Sequence, residues 1–354
     1  MAYTTINKGS KYFNTITYTG TGSSLANTGV GFQPDWVWIK GRSGATDHAL
    51  YDNVRGVQKD LVSNAASAET TQTTGLTAFG SDGFTIGALA KLNTSAATYV
   101  AWNWLGANTT VSNTSGTITS TVSSNTTSGF SVVSYTGNGT SGPTIGHGLG
   151  VAPKFVIIKN RQATEGWQVW VNNNIRIQLN TTAGNAGNFP ISTSSTLITL
   201  PNFDGAWNTS AVTYIAYCFA EIKGFSRFGT YIGNGNSDGR FIYTGFKPAF
   251  ILVKRYDSTG DWYLQDNVRN QNFNGDPKTL QPNTTSTEST IGTWSIDNLS
   301  NGFKIRESNA AINASSGTYI YMAFAQNPFV TLGGIPVTAR LFLYFTLIIY
   351  SYIF

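Results

Sequence analysis

Cysteine is almost absent from this chain. Cys218 is the only one in 354 residues, so no intramolecular disulfide can form and a cysteine-ligated zinc site is excluded. Histidine is nearly as scarce, with His48 and His147 alone. Charged residues make up only 11%, and the 22 basic and 17 acidic groups are scattered. No Lys/Arg cluster suited to a phosphate backbone occurs, so the net charge of +5 does not point to nucleic acid. The opening MAYTTINKGSKYF has no apolar h-region of the kind a secretory signal needs. No window of a dozen residues carries a 3.6-residue apolar period, and the one local helical candidate, NAASAET from Asn64, is too short to stand alone.

What the chain has instead is glycine (38 residues), 13% aromatics, and Ser, Thr and Asn in almost every block. Disordered chains are poor in aromatics and rich in charge, so this one can bury cores. Gly-punctuated runs of Thr, Val and Ile predict an all-β protein with hydroxyl-rich surfaces. The Asn-x-Ser/Thr triplets at Asn108, Asn125, Asn180 and Asn283 follow from that composition.

A set of landmarks recurs three times in the same order. A Tyr-x-Gly-x-Gly turn comes first: YTGTG at Tyr18, YTGNG at Tyr135, YIGNG at Tyr231. Then follow Pro34, Pro153 or Pro248, an apolar run (WVWI, FVII, FILV), and Lys40, Lys159 or Lys254. A segment ending in Arg55, Arg176 or Arg269 comes 21, 23 and 21 residues after the proline. SDGFTIG and SNGFKIR mark the outer copies, and each copy closes on a strand beginning at Thr-Tyr99, Thr-Tyr214 or Thr-Tyr319. Proline opening a strand forgoes an N–H where it matters least, the apolar run crosses a core, and the lysine is expected to return the chain to solvent. The motif reads as scaffold, not as a site.

The resulting expectation is all-β, three tandem degenerate β-sandwich (jelly-roll-like) modules of about 90–100 residues each. Their boundaries are 1–105, 129–224 and 225–330, with a Ser/Thr/Asn-rich segment at 106–128 that is either a linker or a polar hairpin, and a tail at 331–354. Three blades are fewer than propellers use. In the closing strands, alternation places Val100, Trp102 and Trp104 on one face and Tyr99, Ala101 and Asn103 on the other. The bulky face recurs in Ile215, Tyr217, Phe219 and in Ile320, Met322, Phe324, so Trp102 and Trp104 are expected in the core and Cys218 as an inert buried thiol.

Chemistry-bearing patterns are thin. A His48–Asp52 contact is conceivable, but no G-x-S-x-G elbow exists to complete a triad, and His147 lies in a Gly-rich turn. Asp52 and Asp266 occupy equivalent places, yet the middle copy has no carboxylate there and holds only Glu165, Asp204 and Glu221 in all. Asp52 with Arg55 and Asp266 with Arg269 read as local ion pairs, worth little if exposed. GNGTSG (137–142) fits a dinucleotide-loop pattern, but Pro143 stands where a helix must begin. NGNSDG (234–239) resembles half a calcium loop with Gly245 where a bidentate Glu is required, so it reads as a hairpin turn. No catalytic residue, metal ligand or cofactor is expected.

The combination of YTGNG, GF-x-P-x-x-[VI]-x-[VI]-K, SDGFT or SNGFK, and TYIYMAFAQNPF resembles a family of uncharacterised tandem-repeat structural (tail-fibre-like) proteins of tailed bacteriophages, frequent in marine phages. The resemblance covers nearly all of residues 1–340. It implies a virion component at the tail, made in the host bacterial cytoplasm. The implied partners are other tail proteins, bacterial surface polysaccharide and two further copies in a homotrimer. A lectin-like adhesin outside a virion and a polysaccharide depolymerase are the rival expectations. Family members end near the equivalent of Arg340, whereas this chain continues LFLYFTLIIYSYIF (341–354). Those residues would span ~21 Å as a helix against a ~30 Å hydrocarbon core, so a read-through or a trimer-forming strand is expected rather than membrane insertion.

Overall fold

The computed structural model describes residues 4–171, 175–187, 191–201, 205–270, 278–289 and 294–330. The chain is all-β, and every ladder between its strands is antiparallel. Three large sheets share one strand order. Sheet I runs Phe13–Thr19, Thr98–Trp104, Trp36–Gly41, Ala49–Asp52. Sheet III runs Ser226–Ile232, Thr318–Pro328, Phe246–Arg255, Trp262–Asp266. Sheet II has the same order in Phe130–Thr136, Thr213–Phe219, Phe155–Asn160, Gln168–Val171, and is widened at both edges. One edge carries the hairpin Val111–Asn113/Ser120–Asn125 and the other Ile175–Gln178. The Ser/Thr/Asn-rich segment thus contains paired strands.

Register makes the three sheets comparable position by position. Trp36 pairs with Trp104, Phe155 with Phe219 and Phe250 with Phe324. Each proline stands just before the apolar run, and Pro248 lies inside its strand at a β-bulge, where its missing N–H breaks no ladder bond. The bulky faces of the closing strands meet in one shared core: Trp102 and Trp104, Tyr217 and Phe219, Met322 and Phe324 all belong to it. Ring contacts cross from sheet to sheet, Trp36–Tyr217 at 4.3 Å, Phe13–Phe324 at 5.1 Å and Phe219–Phe324 at 5.9 Å. Such pairs add about 0.5–1.5 kcal/mol each beyond the area they bury.

The opposite faces are buried as well. Three-stranded sheets lie over them: Leu25–Asn27, Gly83–Ile86, Leu76–Gly80 over sheet I, and Thr144–Gly146, Leu197–Thr199, Ser192–Thr193 over sheet II. A third, Phe241–Tyr243, Gly302–Ile305, Ile296–Leu299, completes the set. The β-sandwich character expected from the sequence is therefore present, and Cys218 is sealed in the outer layer of sheet II. NGNSDG joins sheet III to its overlying sheet, so it is a crossing between layers and not a hairpin turn.

The Tyr-x-Gly-x-Gly turns have a common cause. Tyr18, Tyr135 and Tyr231 stack on Tyr99, Tyr214 and Tyr319 at 5.1, 5.1 and 4.8 Å. The turn backbone then closes on a buried asparagine: the N–H of Thr21, Asn138 and Asn234 donates to Oδ1 of Asn93, Asn208 and Asn313. A Cβ on Gly20 would lie 2.3 Å from the Thr94 carbonyl oxygen, while Gly22 sits at φ +75°, so both glycines are required. In GNGTSG this turn leads into another strand, not a helix.

Two short helices, Ala90–Asn93 and Ala310–Asn313, present Asn93 and Asn313 to these turns. Neither was expected. Residues 64–70 are not helical. Among the described residues no helix is long and apolar enough to cross a membrane. Asp204 and the 331–354 tail, including 341–354, lie outside the described residues.

Candidate functional site

The lysines that close the apolar runs do not reach solvent. Lys40, Lys159 and Lys254 are all fully buried. Each ammonium donates to a carbonyl of the neighbouring third of the chain: Lys40 to Thr285 (3.2 Å), Lys159 to Ala66 (3.0 Å), Lys254 to Thr182 (3.1 Å). Burial lowers each of these amines to about 8. The expectation of an exposed lysine fails because the strand ends at a seam between sheets, where carbonyls of the neighbouring segment accept from the ammonium.

The accepting segments are 62–69, 178–185 and 281–288, and they are used alike. The same three carbonyls take the backbone N–H of Glu165 (Ala66), Gly260 (Thr182) and Thr46 (Thr285). Four residues earlier, the carbonyls of Val62, Gln178 and Gln281 meet the ring nitrogens of Trp167, Trp262 and His48. Within each segment Asn64, Asn180 and Asn283 accept the backbone N–H of His48, Trp167 and Trp262. The segment from Asn64 cannot be a helix, because its backbone is committed outward to the next sheet. The direction of donation is cyclic: sheet II latches to sheet I, sheet III to sheet II, and sheet I to sheet III.

Ion pairs reinforce two of the three seams. Arg55 binds Asp52 at 2.5 Å and Glu69 at 3.1 Å, and Glu69 also receives both prongs of Arg161. Arg269, Asp266, Glu288 and Arg42 repeat this arrangement at 2.5, 3.0 and 2.9 Å. The Arg–Asp pairs are the local ion pairs read from the sequence, and they are wholly buried, which makes losing one partner costly. Burial pushes Glu69 and Glu288 up, but hydrogen bonds and charge from their arginines more than offset it and hold both carboxylates below the ordinary range. Across the seam, Tyr217 donates to Asp52 and Trp102 to Asp266. At the third seam Val171 stands at the aspartate position and Met322 at the donor position. There Arg176 binds Gln168 instead, at 2.9 Å.

The remaining reactive groups are also occupied. His48 Nδ1 accepts from Trp38 Nε1 at 2.9 Å, so Nε2 carries the proton toward Gln281. Burial, then the Lys40 charge, lowers its pKa well below the usual value. It does not meet Asp52. His147 Nδ1 accepts from Leu149 N–H, its Nε2 faces the Ser194 carbonyl, and burial lowers it too. Burial pushes the Cys218 thiol up to about 12, far from a thiolate at neutral pH. Among the described residues no group of three or more His, Cys, Asp or Glu is placed to hold a metal ion.

Among the described residues, two recesses bear on function. One, of about 400 Å³, includes Thr279, Gln281, Glu288 and Trp294 in its lining, and its carboxylate is the one locked to Arg42 and Arg269. The other, of about 270 Å³, lies where sheet III meets the Phe13–Thr19 strand of sheet I. Thr15 Oγ1 and Gln326 Oε1, both in its lining, are buried without hydrogen-bond partners.

A family profile described as a domain of unknown function (DUF7483) matches residues 8–328. The chain belongs to the DUF7483 family. No curated protein and no solved structure matches it. In this DUF7483 chain most sequence landmarks converge on the seams: Pro34, Pro153 and Pro248 set the strand starts, the lysines with Arg55 and Arg269 form the latches, Arg176 stays within sheet II, and Tyr99, Tyr214 and Tyr319 stack on the turns. Sequence reasoning missed the accepting segments. Their shared sign is an Asn five residues before Glu69, Asn185 or Glu288, at 9, 4 and 14 residues beyond the landmark arginine. That uneven spacing hid them.

Proposed function

We propose that this DUF7483 protein is a non-enzymatic structural component of a phage virion, built from three tandem degenerate β-sandwich modules spanning 1–105, 129–224 and 225–330. Its place is the tail or tail fibre, its neighbours are other tail proteins, and it assembles as a homotrimer that contacts the host surface. The observation that supports this reading is the cyclic latch. The residues that recur three times are used to lock the sheets to one another, which is the economy of a rigid particle component. The resemblance to tail-fibre-like proteins supports it independently. Immunogold labelling of purified particles with antibody against residues 1–340 tests it: gold on the tail is the expected result, and unlabelled particles from cells that express the chain would overturn it.

The cleft of about 270 Å³ favours a second reading, a lectin-like binding role outside a virion. Saturable polysaccharide binding by chain that is never incorporated into particles would select it. Reducing-end release from host polysaccharide would instead select a depolymerase.

A further inference from the structure

The three seams differ at a second spot besides the ion pairs, and this difference is a matter of side-chain size. Thr15, Val132 and Phe228 hold the same register position, opposite Trp102, Tyr217 and Met322. Asp35, Lys154 and Ala249 hold the position just after the landmark proline. At the seam of sheets II and III the Phe228 ring fills the space, 5.9 Å from Phe155 and 6.0 Å from Phe219. At the seam of sheets I and II, Val132 is joined by Asp35, whose carboxylate accepts from Ser123 Oγ at 2.6 Å, from Gly106 N–H at 2.6 Å and from Asn53. At the seam of sheets III and I both positions are small, Thr15 and Ala249, and the space is an open cleft.

That cleft has the chemistry of a site. Thr15, 5% exposed, is one of the residues lining the cleft, and its buried Oγ1 has no partner. Gln326 Oε1 is likewise buried and unpartnered. Leaving such groups unmatched is unfavourable, so a ligand whose hydroxyl groups donate to them is favoured. The lining mixes amide and hydroxyl groups with Phe13 and Ala249, and Lys8 is its only charged residue. Alternating polar contacts and an apolar wall suit a sugar ring, and about 270 Å³ is at or below the ~300–1,000 Å³ of drug-sized pockets.

We propose that the cleft between sheets III and I binds one neutral pyranose unit of a glycan, anchored by Thr15 and Gln326. This deepens the host-contact part of the function above and rests on that reading only for the source of the glycan. The test is saturation-transfer NMR on the full chain with methyl glycosides of glucose, galactose, mannose and their N-acetylated forms. Transfer to at least one of them is expected. Thr15→Phe, patterned on Phe228, should abolish it, and Thr15→Val, patterned on Val132 and so compatible with this strand, should weaken binding about five- to tenfold. No transfer from any neutral glycoside at millimolar concentration would overturn the proposal. So would transfer undiminished in both variants, or a response to uronates alone, which would mark an anion site at Lys8. Gold labelling of particles is independent of all these outcomes, so failure here leaves the virion reading standing.

Discussion

Trp102 and Asp266 are 164 residues apart in sequence, yet the indole Nε1–H of one donates to Oδ2 of the other at 2.9 Å, inside the protein. The same aspartate oxygen binds Arg269, whose guanidinium lies 5.5 Å over the Trp102 ring. A hydrogen bond, an ion pair and a cation–π contact thus meet at one carboxylate that ties sheet I to sheet III.

Asp266→Val should strand the Arg269 charge and lower stability by about 3–5 kcal/mol. Adding Arg269→Leu removes the stranded cation and should recover most of that loss, because Val171 and Met322 show that the position accepts an apolar solution. Urea unfolding of the wild type, both single variants and the double variant measures the coupling. A double variant as unstable as the sum of its parts would contradict the account.

His48 should make the protein acid-sensitive. Its folded pKa lies below the unfolded value of about 6.5, so below that pH the unfolded chain binds a proton that the folded chain refuses. Stability therefore falls as pH drops from about 6.5 toward 5. The double variant Trp38→Leu/His48→Trp copies Ile157 with Trp167 and Leu252 with Trp262. It should reduce the pH slope in that window by one proton, read from unfolding midpoints at pH 5.0, 6.0 and 7.0.

The buried lysines predict a trend of the same sign at alkaline pH. Each folded amine sits at about 8 against an unfolded value of about 10.4, so between these limits the unfolded state binds more protons. Stability from these groups rises as pH increases through that window. The wild type should be more resistant to urea at pH 9.5 than at pH 7.5, and Lys159→Met should show a smaller rise. Equal slopes in the two proteins would mean that Lys159 does not titrate there.

Heat should unfold residues 4–330 in one transition, since each sheet depends on its two neighbours. The latch from Lys40 to Thr285 spans 245 residues, so no third of the chain can leave without breaking two seams. Calorimetry should give equal calorimetric and van't Hoff enthalpies. Three resolved transitions would show that the seams are weaker than their burial implies.

Much of the scaffold was legible in the sequence because it follows period-two alternation. The strand pattern alone places Trp102 and Trp104 in the core, and both are buried there. What alternation does not encode is the second covered face, which depends on short strands such as Leu25–Asn27 arriving from elsewhere. The same pattern misplaces the lysines for a related reason. A charged residue after an apolar run ordinarily marks the surface, and only a partner segment such as 281–288, remote in sequence and irregular in spacing, makes burial of Lys40 tolerable. The candidate cleft was not legible at all, since it arises from Thr15 and Ala249 both being small, and their proximity exists only once the ring is closed.

The cyclic order of the latches also bears on how such a chain can grow. In an open solenoid the terminal repeats expose a face made for a missing neighbour and need special capping copies. Here sheet I donates to sheet III, sheet III to sheet II and sheet II to sheet I, so each sheet has both a donor and an acceptor neighbour. A fourth copy inserted between them would find its donor and acceptor faces unmatched unless the whole ring widened.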